Sequence, residues 1–246
     1  MKLKEFFENN PRVALGFSGG VDSSYLLYAA LKYGAEVGAY FVKTQFQPQF
    51  ELDDARRLAG ELGAELKVLE HDALCHEEVV KNPENRCYYC KCAIFGMIAT
   101  RAAADGFPLL VDGTNASDKE DDRPGMQALR EMEVRSPLRE CGITKQELRL
   151  LSKDAGLFTW NKPAYACLAT RIPTGEEITA EKLQLAEKSE DVLFKLGFSD
   201  LRVRLRGKNA RIELPQEQLS AARACWEEIL DELDCFEEIE LCERTG

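Results

Sequence analysis

An apolar run, Val13-Ala14-Leu15, passes directly into Gly16-Phe17-Ser18-Gly19-Gly20-Val21-Asp22-Ser23-Ser24. A buried strand thus enters a glycine-rich turn and leaves it as a helix over residues 22–33. Gly19 and Gly20 let the backbone come close to an anion, and the unpaired N–H groups and dipole of the first helical turn favour a phosphate there. Ser18, Ser23 and Ser24 add hydroxyl donors, and Asp22 is a carboxylate suited to the magnesium (Mg2+) that accompanies a nucleotide. The same residues also describe a Ser/Asp-capped helix after a tight turn. What separates the two readings is the full string Ser-Gly-Gly-Val-Asp-Ser-Ser behind an N-terminal strand. It is neither a Walker loop, since no Gly-Lys-Ser/Thr follows at the required spacing, nor Gly-x-Gly-x-x-Gly.

The string resembles the pyrophosphate loop (PP-loop) of the N-type ATP pyrophosphatases. That resemblance implies a protein that binds ATP, cleaves it to AMP and pyrophosphate, adenylates a substrate oxygen and displaces AMP with nitrogen or sulfur. It assigns Gly16, Ser18, Gly19, Gly20, Asp22, Ser23 and Ser24 to the nucleotide.

The rest of the first half has the matching rhythm. Strands are expected over 36–42, 65–69 and 108–112, and helices over 52–62, 85–105, 126–132 and 145–155, the last with Thr144 as cap and Glu147 at its third position. Such alternation implies a Rossmann-like α/β fold with a parallel sheet and right-handed crossovers. Ligands of such sheets lie at the carboxyl ends of the strands. Val42 and its neighbours end the second strand there and are read as adenine neighbours. Gly113-Thr114-Asn115 forms a small hydroxyl-rich turn on that edge, which is either an Asx-type turn or, by superfamily resemblance, a nucleotide contact through Gly113 and Thr114.

After Gly175 the pattern changes to helix 181–196, strand 201–206, turn 207–209, strand 210–214, helix 215–233 and strand 236–241. This order predicts a small antiparallel sheet with two helices on one face, an α+β unit. The expected domains are 1–172 and 173–246. On the first of these strands, alternation puts Arg202, Arg204 and Arg206 on one face. They read as an anion site in a chain of formal net charge −11, although a solvated strand face is the ordinary use of such charges.

That acidity argues against a broad nucleic-acid surface, which needs clustered Lys and Arg. No apolar run approaches a membrane span and the N-terminus lacks a secretory core, so a cytoplasmic address is expected. Nine cysteines are then expected as buried free thiols, metal ligands or reactive groups, not disulfides. In Asn85-Arg86-Cys87-Tyr88-Tyr89-Cys90-Lys91-Cys92, a helix puts Cys87 and Cys90 on one face, about 60° apart, and turns Cys92 away. Two cysteines cannot fill a tetrahedral site and would need partners elsewhere. Cys167 lies in a proline-flanked stretch of small residues, where a buried structural thiol is the plain alternative, and Arg171 would favour its thiolate or bind an anion.

With the glycine loop, the Cys87 and Cys90 segment, Gly113-Thr114-Asn115 and Ala166-Cys167-Leu168-Ala169-Thr170-Arg171-Ile172-Pro173 together, the whole chain resembles the LarE family. These are sulfur transferases in the making of the nickel-pincer nucleotide cofactor. The resemblance implies adenylation of a carboxylate of pyridinium-3,5-biscarboxylate mononucleotide and its conversion to a thiocarboxylate. Cys167 would act in sulfur delivery and Asp22 in catalysis, with Arg171, Arg202 and Arg204 on the substrate. One branch of the family has a single active-site cysteine at the Cys167 position, which gives up its own sulfur and becomes dehydroalanine. Cys87 and Cys90 place this sequence with the three-cysteine branch, in which Cys87, Cys90 and Cys167 hold a 4Fe-4S cluster with one iron open to an extra sulfide. A persulfide relay among the same cysteines is a third route. The resemblance also implies a sulfide donor and a homo-oligomer, a hexamer being one form it could take. An ammonia-using amidotransferase or NAD synthetase would share the loop without needing the cysteines. A non-enzymatic ATP-binding regulator would leave both cysteines and arginines idle.

Overall fold

The computed structural model describes residues 2–118 and 124–244; the expected lead-in to the helix near 126 falls partly on 119–123, outside the described residues. Along the chain run α1 (Leu3–Asn9), β1 (Arg12–Gly16), α2 (Val21–Lys32), β2 (Glu36–Lys43), α3 (Gln49–Glu61) and β3 (Leu66–Glu70). There follow α4 (Glu77–Val80), α5 (Arg86–Ala104), β4 (Leu110–Val111), α6 (Pro124–Glu131), α7 (Pro137–Glu140) and α8 (Lys145–Asp154). The last part holds α9 (Ala180–Lys195), β5 (Arg202–Arg206), β6 (Asn209–Leu214), α10 (Leu219–Ala224), α11 (Trp226–Glu232) and β7 (Ile239–Glu243). The protein is therefore α/β, with a four-stranded sheet and a separate three-stranded one.

The elements divide into two compact units, Met1–Asp72 with Asn85–Lys162, and Ala73–Glu84 with Pro163–Gly246. The division falls at 162/163, whereas the sequence pattern predicts 172/173. Arg171 shows why: its guanidinium is bonded to Glu190 on α9, which ties the Cys167 stretch to the second unit. The segment 73–84 joins it through Asn82, whose side chain donates to the Pro173 carbonyl at 2.8 Å.

In the first unit the strands run in the order β3-β2-β1-β4, every pairing parallel. Successive strand residues point to opposite faces, and here both faces are apolar. Val13, Leu15, Ala39 and Phe41 pack with α1, α2, α3 and Leu148 of α8. Ala14, Tyr40 and Val42 pack with Phe95 and Ile98 of α5 and Met126 and Leu129 of α6. Coverage on both sides is what parallel strands require, and it explains why β1 reads as an unbroken apolar run. The capping box of α8 forms as expected: Thr144 Oγ1 accepts from the Glu147 backbone N–H, and Glu147 Oε2 accepts from that of Thr144.

The second unit departs from expectation in two ways. Its sheet, β5-β6-β7, is mixed: β5 and β6 are antiparallel, but β6 and β7 are parallel. The β6–β7 connection passes through α10 and α11, and such a crossover returns the chain in the same direction. The helix expected over 215–233 is broken at Cys225 (φ −111°, ψ 29°), which ends α10 and precedes α11. Val203 and Leu205 are buried while Arg202 and Arg204 are half-buried and Arg206 is exposed, so the alternation along β5 holds. Among the described residues no helix is long and apolar enough to cross a membrane.

Leu15, 1% exposed in the middle of the first core, tests this packing. Leu15→Ala is expected to lower the unfolding free energy by about 2–5 kcal/mol in a urea titration. A loss below about 1 kcal/mol would mean that the face of β1 toward α2 is not close-packed.

Candidate functional site

The loop between β1 and α2 is built around its serines. Ser23 Oγ accepts from the Ser18 backbone N–H at 3.3 Å and donates to the Gly20 carbonyl at 3.3 Å, while the two serine hydroxyls lie 3.1 Å apart. Gly19 has φ +70°, and a Cβ there would come within 3.1 Å of Ala55. Gly20 is the N-cap of α2 and gives it no side-chain cap, so the first-turn N–H groups keep their anion affinity. The Ser24 hydroxyl is fully buried with no hydrogen-bond partner. A buried hydroxyl without a partner is costly.

The turn after β4 is pressed against that helix start. A Cβ on Gly113 would lie 2.8 Å from the Ser23 backbone nitrogen, so only glycine fits. Asp112 holds the turn by accepting from the Thr114 backbone N–H at 3.2 Å and from Ser136 Oγ at 2.6 Å. The Thr114 hydroxyl also donates to Asp112, which gives it a role inside the turn. The buried Asn115 then donates from Nδ2 to Asp22 Oδ1 at 3.1 Å. Val42 is 7% exposed and belongs to the apolar core beside Tyr40.

Two lysines that no sequence pattern singles out converge on this loop. Lys145 Nζ lies 2.5 Å from Asp22 Oδ2. Lys162 Nζ lies 2.6 Å from Asp54 Oδ2 on α3 and 3.5 Å from the Gly19 carbonyl oxygen. In the sequence Lys145 is only the start of a capped helix; its partner is 123 positions away, beyond any local pattern. Hard oxygen donors such as the Asp22 carboxylate and the loop hydroxyls are the set that magnesium takes together with phosphate oxygens.

In the second unit Cys167 immediately precedes a 3-10 turn, Leu168–Arg171, and its carbonyl accepts from the Thr170 N–H and hydroxyl, both at 2.9 Å. Arg171, expected on an anion, is instead 1% exposed and paired with Glu190 at 2.6 and 3.1 Å. It also donates to the Ala166 carbonyl at 3.0 Å and lies over the Tyr165 ring. Glu190 takes further bonds from the Tyr165 hydroxyl and the Val203 backbone N–H. Burial works against the Arg171 charge, yet the bonds from Glu190 outweigh it and hold its pKa above the usual value. Arg171 therefore ties the backbone just before Cys167 to Glu190 of α9 instead of facing a ligand.

The strand arginines differ among themselves. Arg204 bonds Glu213 at 2.6 Å and the Thr170 carbonyl at 2.8 Å. The pKa of Arg202 is pushed down by burial and then by Arg244, Arg171 and Arg204, against the attraction of Glu213. A half-buried cation among cations is the electrostatic condition of an anion site.

In the first unit Cys87 and Cys90 lie in the opening turns of α5, Cys87 exposed and Cys90 half-buried, and in the second Cys167 is half-buried. Among the described residues, no group of three or more His, Cys, Asp or Glu side chains is gathered so as to hold a metal ion.

No family model matches the chain. Whole-chain similarity is nevertheless extensive. The chain is 40% identical over 220 residues to an uncharacterized protein, slr1717, of Synechocystis, across 88% of this chain and 81% of that one. It is 34% identical over 210 residues to the pyridinium-3,5-bisthiocarboxylic acid mononucleotide synthase of Lactiplantibacillus plantarum, across 85% and 76% respectively. A tRNA-specific 2-thiouridylase, MnmA, of Thermotoga is 25% identical over 193 residues, across 61% and 54%.

Removing Glu190 alone would strand the Arg171 charge in the interior. Glu190→Gln is expected to cost about 3–5 kcal/mol in denaturant unfolding and to quicken alkylation of Cys167. Unchanged stability together with unchanged alkylation would show that the pair does not hold this loop.

Proposed function

The chain belongs to the LarE family, and we propose that it is an ATP-dependent sulfurtransferase acting on pyridinium-3,5-biscarboxylate mononucleotide. The observation that most supports ATP use is the uncapped start of α2 behind the serine loop. The substrate reading rests on the similarity to the Lactiplantibacillus plantarum synthase.

In this reading the 18–24 loop takes the β- and γ-phosphates, with Lys145 and Lys162 adding charge and Asp22 holding magnesium. Gly113 and Thr114 keep the neighbouring turn against the loop, and Val42, its side chain in the core, supports the end of β2 that would border the adenine. A substrate carboxylate oxygen attacks the α-phosphorus, the bond to the bridging oxygen breaks, and pyrophosphate leaves with the electron pair. Loop N–H groups and cations lower the barrier by stabilising the charge that develops on that leaving group. Arg202 and Arg204 hold the substrate's own phosphate and so fix where its carboxylate lies. A sulfur nucleophile then attacks the acyl carbon of the adenylate, and AMP departs with the carbon–oxygen pair.

For the sulfur source we favour Cys87, Cys90 and Cys167 as ligands of a 4Fe-4S cluster. Its chemistry would be an open iron that carries an extra sulfide supplied by a donor. A second source is the sulfur of Cys167 itself, which is half-buried at the head of a 3-10 turn. In that case Cys167 itself attacks the acyl carbon. Loss of its Cα proton then breaks the Cβ–S bond, which leaves thiocarboxylate on the product and dehydroalanine in the chain.

Iron and acid-labile sulfide, measured on anaerobically purified protein, separate the two. About four of each per chain, lost together in Cys87→Ala, Cys90→Ala and Cys167→Ala, is the expected outcome. Absence of iron after reconstitution, with Cys167 losing the mass of hydrogen sulfide after one turnover, would replace the cluster by the sacrificial route. ATP that binds but gives no pyrophosphate when the carboxylate substrate is added would overturn the enzyme reading itself.

A further inference from the structure

We propose that Asp22 and Lys145 form an exchangeable ion pair that makes a divalent cation and a polyphosphate bind the loop cooperatively. The proposal rests on the ATP reading above and goes beyond it by coupling the two ligands through one contact. Lys145 Nζ lies 2.5 Å from Asp22 Oδ2, while Asp22 Oδ1 accepts from Asn115 at 3.1 Å. The metal-seeking carboxylate and the phosphate-seeking ammonium therefore neutralise each other.

The pair is built to open. Its side chains are 31% and 26% exposed, so solvent and small ions reach it without unfolding, unlike the Arg171–Glu190 pair at 0% and 1%. The backbone behind Lys145 is fixed independently: Thr144 caps the helix, and the Lys145 N–H donates to Ser117 Oγ at 2.9 Å. Only the flexible lysine stem needs to swing. A lysine in the first turn of a helix is disfavoured by the helix dipole, so its place there is not explained by the stability of α8. The helix that carries Asp22, α2, has no side-chain cap, so its first-turn N–H groups remain as donors for a phosphate.

Either ligand must break this pair to bind. A cation on Asp22 releases Lys145 for phosphate, and a phosphate on Lys145 releases Asp22 for the cation. Whichever binds first lowers the work left to the second, and the effect is reciprocal. Direct contact between cation and polyphosphate adds a coupling of its own, so the share of the pair is read from variants.

The test measures Mn2+ alone, by electron paramagnetic resonance, and inorganic pyrophosphate without metal, by calorimetry, on the full chain. Lys145→Gln is expected to tighten Mn2+ binding and weaken pyrophosphate binding. Asp22→Asn is expected to do the reverse. Each shift lies within the range of about 5- to 150-fold that such couplings span. Wild-type protein that binds both ligands, with Lys145→Gln leaving Mn2+ affinity unchanged or weaker, would overturn the coupling and leave the ATP reading intact. The coupling is likewise overturned if Asp22→Asn fails to tighten pyrophosphate, a second variant that guards against poor folding of the first. Wild-type protein that binds neither ligand, together or apart, would overturn both the coupling and the ATP reading.

Discussion

Strands that run in one direction and are covered on both faces have little freedom in where their loops go. The chain must return behind the sheet after every strand, so the carboxyl ends of β1, β2 and β4 share one edge. That constraint brings the serine loop at 18–24 and the turn at 112–118 together. Apolar pressure on both faces then fixes their spacing closely enough that Gly113 has no room for a side chain against Ser23. The chemistry of the first unit is thus placed by packing that lies largely outside the loop itself.

Two ion pairs show how burial decides what a charge can do. Arg171 and Glu190 are sealed from water, and their remaining bonds run to Ala166, Thr170, Tyr165 and Val203. Removing charges from water is expensive, and such a pair persists only when its bonding is complete. It can serve only as a fastener. Lys145 and Asp22 remain in reach of solvent, which weakens their attraction and lets a competing ion replace either one.

What was legible in the sequence was what is local. The strand-loop-helix at 13–33, the capping box at Thr144 and Glu147, and the alternation along β5 each depend on residues a few positions apart. The break at Cys225 carries no proline or glycine to announce it. The direction of β7 depends on the connection that leads into it, not on its own residues. Arg171 beside Cys167 reads as an anion ligand until Glu190 is found against it, and Lys145 reads as a helix start until Asp22 is. In each case the missing information was a partner distant along the chain.

The chain enters the second unit at 72/73, leaves it at 84/85 and re-enters it at 162/163. The short first visit is bonded into its host: Asn82 accepts from Gly175 through its carbonyl, and Val80 likewise accepts from Ile178. The second unit is consequently not a cassette. Cut at any single position between the two visits, the gene yields no fragment that carries all of it, so an exchange of this unit between relatives has to move two separate stretches of sequence at once.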